Sequence, residues 1–208
     1  MNQAGETQRL HVSGRPLRMG TLVGLRWLAI GGQAIGVLFV ALGLNYPLPL
    51  AECLGLIALS VLLNLWLVFR FGAAHRPSPT VATVLLAYDC VQLGGLLALT
   101  GGLQNPFSLL LLAPVSVCAT TLPQRSSVIL ATLTIAIASV LGVWHLPLPW
   151  DPASPIVFDR IYVIGIWVSL FCGVVFVAAY TNRVAHEARQ LADALTATEL
   201  QLSRREQL

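Results

Sequence analysis

Charge is scarce in this chain, and lysine is missing altogether: its 12 basic residues are all arginine. Charged residues fill 10% of the 208 positions and hydrophobic residues 56%. A soluble globular domain carries roughly 25% charged and about 45–50% apolar residues. The deficit of charge excludes that class and points to an integral membrane protein. A disulfide framework is also missing. Cys53, Cys90, Cys118 and Cys172 all fall within apolar runs, and no C-x-x-C spacing marks a zinc site. No Walker A, no glycine-rich ATP lid and no H-E-x-x-H pattern occurs. No catalytic residue and no metal ligand is therefore assigned. The net charge of +3 gives no reason to expect direct nucleic-acid binding. The N-terminus is polar through Gly24 and lacks the short apolar core and small-residue cleavage site of a signal peptide.

What is present is a series of apolar runs. A spanning helix needs about 20 mostly apolar residues. Six runs approach that length, at about 25–44, 51–70, 80–100, 107–122, 126–146 and 160–181. The prediction is an all-α integral membrane protein, a six-transmembrane-helix bundle. The fourth run is short and contains Pro114, which suggests tilting, kinking or partial re-entry. Arginine placement sets the orientation. Arg9, Arg15, Arg18 and Arg26 precede or open the first run, Arg70 and Arg76 follow the second, Arg125 precedes the fifth, and Arg183 and Arg189 follow the sixth. The remaining connections hold only Arg160. Both termini are expected in the cytoplasm of a multi-pass protein of a bacterial inner membrane.

Three regions follow: a cytoplasmic tail over residues 1–24, the membrane domain over 25–182, and a charged helix over 183–208. Residues after Tyr180 contain no glycine or proline. Val184, Ala188, Leu191, Leu195, Thr198 and Leu202 recur in steps of four and three. That spacing fits a parallel coiled coil, or else one amphipathic tail on the membrane surface.

Two features carry candidate chemistry. The first is "GGLQNPF", Gly101 to Phe107, at the tip of the hairpin formed by the third and fourth runs. As a turn, glycine ends one helix at positive φ, Asn105 caps the next and Pro106 takes its first position. That leaves the second glycine, Gln104 and Phe107 without a role. As a binding site, glycines admit a flat ligand close to the backbone, freed N–H groups meet an acceptor and Phe107 offers a stacking face. The second feature is Asp89, a carboxylate deep in the third run, with Gln92 on the same helical face and Tyr88 beside it. An intramembrane carboxylate is costly unless protonated or paired. It reads either as an interhelical clamp, with Asn64 or Ser116 as partner, or as a ligand or proton site. No second deep acidic residue supports a proton relay.

His186–Glu187 invites comparison with the phospho-accepting motif H-E-L-x-[TN]-P. Here Ala-Arg-Gln-Leu follows, barely a turn from the membrane, so His186 reads as a solvated helix residue.

Taken together, the six runs, the outer heptapeptide and the charged exit helix resemble the RegB/PrrB/ActS family of redox-responsive sensor histidine kinases. Gly101, Gly102, Asn105, Pro106 and Phe107 match that family's GGxxNPF at every fixed position. The resemblance implies a homodimer that reads the membrane ubiquinone/ubiquinol pool through Gly101, Gly102, Gln104, Asn105, Pro106 and Phe107. It also implies a cytoplasmic kinase region that uses ATP and phosphorylates a response regulator. The phospho-acceptor histidine, the redox-active cysteine and the ATP-binding region of the family are expected beyond Leu208. An amide such as Asn105 or Gln104 offers both a donor and an acceptor to a quinone head. A small transporter or channel-like bundle is the alternative. It calls for facing polar residues and paired discontinuous helices, and Asp89, Asn64, Gln92 and Pro114 are few for that purpose.

Overall fold

The computed structural model describes residues 18–206 except 152, 155 and 157. Most of the predicted N-terminal tail lies outside the described residues, as do the side chains of Leu195, Thr198 and Leu202 in the heptad seam, while Val184, Ala188 and Leu191 are exposed. Helices α1 (Met19–Leu38), α2 (Leu50–Arg70), α3 (Pro79–Leu99), α4 (Leu112–Thr121), α5 (Gln124–Leu141) and α6 (Arg160–Glu206) make up the bundle.

Local sequence explains the helix ends. α1 loosens into a wider π turn over Phe39–Gly43 and stops at Asn45, whose φ of 53° is left-handed. Asparagine tolerates that conformation better than most residues, and Pro47 and Pro49 keep the following stretch extended. α3 starts at Pro79, with the Ser78 hydroxyl accepting the Val81 N–H at 3.3 Å, so cap and N-terminal proline coincide. α6 runs for 47 residues without a break, as the absence of glycine and proline after Tyr180 predicts. At 1.5 Å per residue it is about 70 Å long, more than twice the hydrocarbon thickness of about 30 Å. It must therefore project well beyond the bilayer.

Five helical stretches are long and apolar enough to cross a membrane: Met19–Gly43, Leu50–Arg70, Pro79–Leu99, Gln124–Leu141 and Arg160–Tyr180. The predicted fourth run forms the shorter apolar stretch Pro106–Thr121. Its departure from an ordinary span lies in its first six residues, Pro106–Leu111, which coil as a tight 3-10 helix. Pro114 does not interrupt the helix. It falls in the first turn of α4, just after the change from 3-10 to α coiling.

α3 is the most buried span and packs against α2, α4 and α5. Leu86, Cys90, Val115, Cys118, Leu130 and Val174 join it to α4, α5 and α6 in one apolar cluster. Leu97, Leu103, Leu111, Leu141 and Leu170 form a second cluster beneath the heptapeptide. α1 and α6 expose most of their surface, which suits helices facing lipid.

Candidate functional site

The backbone of Gly101–Phe107 is folded by its own residues. Gly101 (φ 108°) and Gly102 (φ 59°) both adopt left-handed conformations, which glycine alone reaches without steric cost. The next turn is a 3-10 helix over Gly102–Gln104. Asn105 then caps the following helix: its Oδ1 accepts the Phe107 N–H at 2.9 Å. Its Nδ2 donates to the carbonyl oxygen and to Oγ1 of Thr100, both at 2.9 Å. One side chain thus closes the loop from the end of α3 to the start of the next helix.

The second glycine is explained by a neighbour about forty residues away. A Cβ at Gly102 would lie 2.6 Å from Cγ of His145 and 2.7 Å from the Leu141 carbonyl oxygen. A Cβ at Gly101 would lie 2.9 Å from Cα of Leu148. The connection between α5 and α6 is seated directly on the two glycines, and the Leu146 N–H donates to the Ala98 carbonyl at 2.7 Å. The close approach that the sequence leaves open for a ligand is filled here by the protein's own chain.

Gly101, Gly102 and Asn105 are buried, and the Asn105 amide is engaged at Thr100 and Phe107. Pro106 and Phe107 are exposed and Gln104 is half-buried. Phe107 reaches toward Gly36 of α1, its ring 3.9 Å from where a Cβ there would stand. The side chains of Gln104, Pro106 and Phe107 are therefore the accessible ones in the loop, while Gly101, Gly102 and Asn105 hold the turn.

Asp89 and Gln92 belong to a polar seam between α3 and its neighbours. Asp89 pairs with Arg26 of α1 rather than with Asn64 or Ser116. Arg26 also donates to the Leu85 carbonyl at 3.4 Å and lies over the Tyr88 ring, 5.2 Å from its centroid. The Tyr88 and Ser60 hydroxyls are 3.2 Å apart. Asn64 instead donates to the Val23 carbonyl at 3.3 Å. One turn further along, Gln92 and Gln33 exchange both amide hydrogen bonds, at 3.0 and 3.2 Å. Sequence reasoning treats Arg26 as a topology marker and passes over Gln33 and Ser60. The available signal is spacing: Arg26 and Gln33 are two turns apart on one face of α1, as Asp89 and Gln92 share one face of α3. Among the described residues, no group of three or more His, Cys, Asp or Glu side chains could hold a metal.

An all-helical, multi-pass membrane domain with a glycine-rich loop and a long C-terminal helix is the class these features define. Two curated relatives, both named sensor histidine kinase RegB and both from Cereibacter sphaeroides, were found. One is 37% identical over 191 residues, covering 92% of this chain and 41% of the relative. The other is 37% identical over 192 residues, covering 92% and 42%. The chain belongs to the RegB family of sensor histidine kinases. It spans about two-fifths of the length of these relatives. No family model matches the chain, and no solved structure does. The kinship and the five apolar helices make it a multi-pass protein of the bacterial inner membrane, and a small transporter or channel is not favoured.

Proposed function

We propose that this chain is the redox-sensing membrane domain of a two-component sensor histidine kinase. It reads the ubiquinone/ubiquinol balance at the GGLQNPF loop and passes the reading along α6 to a cytoplasmic kinase region that phosphorylates a response regulator. In this reading Pro106–Thr121 serves as a sixth crossing, both termini are cytoplasmic, and the helix beyond Tyr180 pairs with that of a second copy. The quinone supplies the redox chemistry when bound, and the chain supplies orientation and transmission. Gln104 and Phe107 present an amide and an aromatic face.

The observation that carries the proposal is mechanical. The loop is joined to the end of the most buried helix, α3, through Asn105 and Thr100, and it bears the α5–α6 connection on its two glycines. A shift at the loop therefore reaches the start of α6, and α6 leaves the membrane as one unbroken helix. A site that favours one redox form by about 1–3 kcal/mol would supply ordinary allosteric coupling.

The test is autophosphorylation of the full-length kinase in nanodiscs with a short-tailed ubiquinone, oxidised or reduced. A rate that depends on redox state in the parent and loses that dependence in Phe107→Leu supports the proposal. A rate blind to quinone in every preparation ends it.

A further inference from the structure

Among the described residues, three buried side-chain atoms have no hydrogen-bond partner within the protein: Nε and Nη2 of Arg26 and Oδ1 of Asn64. Arg26 is 3% exposed and Asn64 0%. Buried polar groups are nearly always satisfied, by protein or by ordered water. The three atoms are not scattered. Asn64 on α2 donates its Nδ2 to the Val23 carbonyl at 3.3 Å, and Val23 stands just under one turn before Arg26 on α1. Ser60, one turn from Asn64 on α2, has its hydroxyl 3.2 Å from that of Tyr88, and the Arg26 guanidinium lies over the Tyr88 ring. Both incomplete groups thus belong to one junction of α1, α2 and α3. We propose that this junction is a built water site, in which one water molecule bridges the guanidinium of Arg26 to the amide oxygen of Asn64.

The chemistry of the three atoms selects the ligand. Nε and Nη2 lie on one edge of the planar guanidinium, a fork whose two N–H groups can meet a single oxygen. Asn64 Oδ1 needs the opposite, a donor. The occupant must therefore accept on one side and donate on the other. A cation cannot accept from the fork. An anion cannot donate to the amide oxygen, and the Arg26 charge is already matched by Asp89. Water does both: it accepts from the fork and gives one hydrogen to Asn64. Those three bonds are the usual complement of a buried water. The Ser60–Tyr88 pair lies beside it, and its accepting hydroxyl keeps a hydrogen free for a further contact. The site ties α2 into the ion pair between α1 and α3, which α2 does not otherwise touch through a charged group.

The test is transfer of magnetisation from water to side-chain amides, read by solid-state NMR on the isotope-labelled chain in bilayers of deuterated lipid. Gln92 is the internal control, since it is also buried in the seam but exchanges both of its amide bonds with Gln33. The Asn64 amide should receive water magnetisation at short mixing times and the Gln92 amide should not. Transfer to Asn64 as late as to Gln92 would overturn the site. Early transfer to both would make the seam generally hydrated and overturn it as well. A second measurement asks whether Arg26 holds the water. Asn64→Leu should lower the melting temperature less in an Arg26→Met/Asp89→Leu background than in the parent, because one end of the bridge is already gone. A merely structural bond to Val23 predicts the same loss in both backgrounds, and that result would remove the bridge. If the triple variant does not fold, the transfer to Asn64 in the parent decides the matter alone.

Discussion

The guanidinium of Arg26 on α1 meets the carboxylate of Asp89 on α3 inside the bundle, with Arg26 only 3% exposed. α1 packs its backbone mainly against α2. It meets α3 through this ion pair, the Arg26–Leu85 carbonyl bond and the Gln33–Gln92 amide pair, and through the buried apolar clusters that hold Met19, Leu22 and Ile30. Neither charge is tolerable in that setting without the other.

The first prediction follows from that dependence. Arg26→Met and Asp89→Leu should each destabilise the domain by about 3–5 kcal/mol, because each leaves one buried charge unpaired. The double variant should be more stable than either single one. Asp89→Asn keeps size and hydrogen bonding and should be milder than Asp89→Leu. Arg26 also has Nε and Nη2 buried without a hydrogen-bond partner, so part of its desolvation is already uncompensated. Unfolding in mixed detergent micelles measures all four. Strictly additive losses in the double variant would show that the pair is not coupled.

A second prediction concerns Gly102. Gly102→Ala must hold a left-handed φ and also place Cβ against His145 and the Leu141 carbonyl. The backbone strain alone costs on the order of 1–3 kcal/mol. Removing the ring in Gly102→Ala/His145→Ala should recover only part of the loss, since the Leu141 carbonyl remains in place. Melting temperatures test this. Full recovery in the double variant would put the whole clash on His145.

These two sites show what could be read from sequence. Within the heptapeptide, the positive-φ glycine, the Asn105 cap and the N-terminal Pro106 are local requirements of a tight turn, and all three are legible. The role of Gly102 is not, because it depends on His145 packing from another connection. Asp89 is conspicuous as an intramembrane carboxylate, yet its partner is hidden: an arginine near the start of a span reads equally well as a flanking charge. The 3-10 coiling of Pro106–Leu111 also escapes the sequence, since an apolar run looks the same in either helix type.

The third prediction separates capping from loop closure at Asn105. Serine and aspartate are both good caps, so capping alone ranks Asn105→Ser and Asn105→Asp together. The two bonds donated to Thr100 break the tie. Both variants lose those donors, at a net cost of about 0.5–1.5 kcal/mol each. Aspartate additionally sets a carboxylate oxygen against the Thr100 carbonyl. Asn105→Asp should therefore melt below Asn105→Ser, and both below the parent. Equal melting of all three would leave only the cap at work.

The last prediction concerns orientation. The fold groups its connections at two ends. At one end the Met19 N–H donates to the His75 carbonyl at 2.8 Å and the Gly20 N–H to the Ala73 carbonyl at 3.1 Å. The start of α1 is thereby tied to the α2–α3 connection, with Arg18, Arg70 and Arg76 around it. At the other end the α5–α6 connection touches the α1–α2 connection and the end of α3. Tyr46 and Trp150 place their ring centroids 5.6 Å apart, and Leu146 bonds to Ala98 beside the heptapeptide. Which end faces the cytoplasm follows from arginine, which cytoplasmic connections retain in excess. The arginine-rich end should be inside and GGLQNPF outside. A reporter active only outside the cytoplasm should be active when fused after Gln104 and silent when fused after Pro77. Fusion after Trp150 should behave like the first, because the tip of the α5–α6 connection shares that end. The opposite result at all three sites would invert the protein in the membrane. Activity after Gln104 without activity after Trp150 would contradict the grouping of the connections themselves.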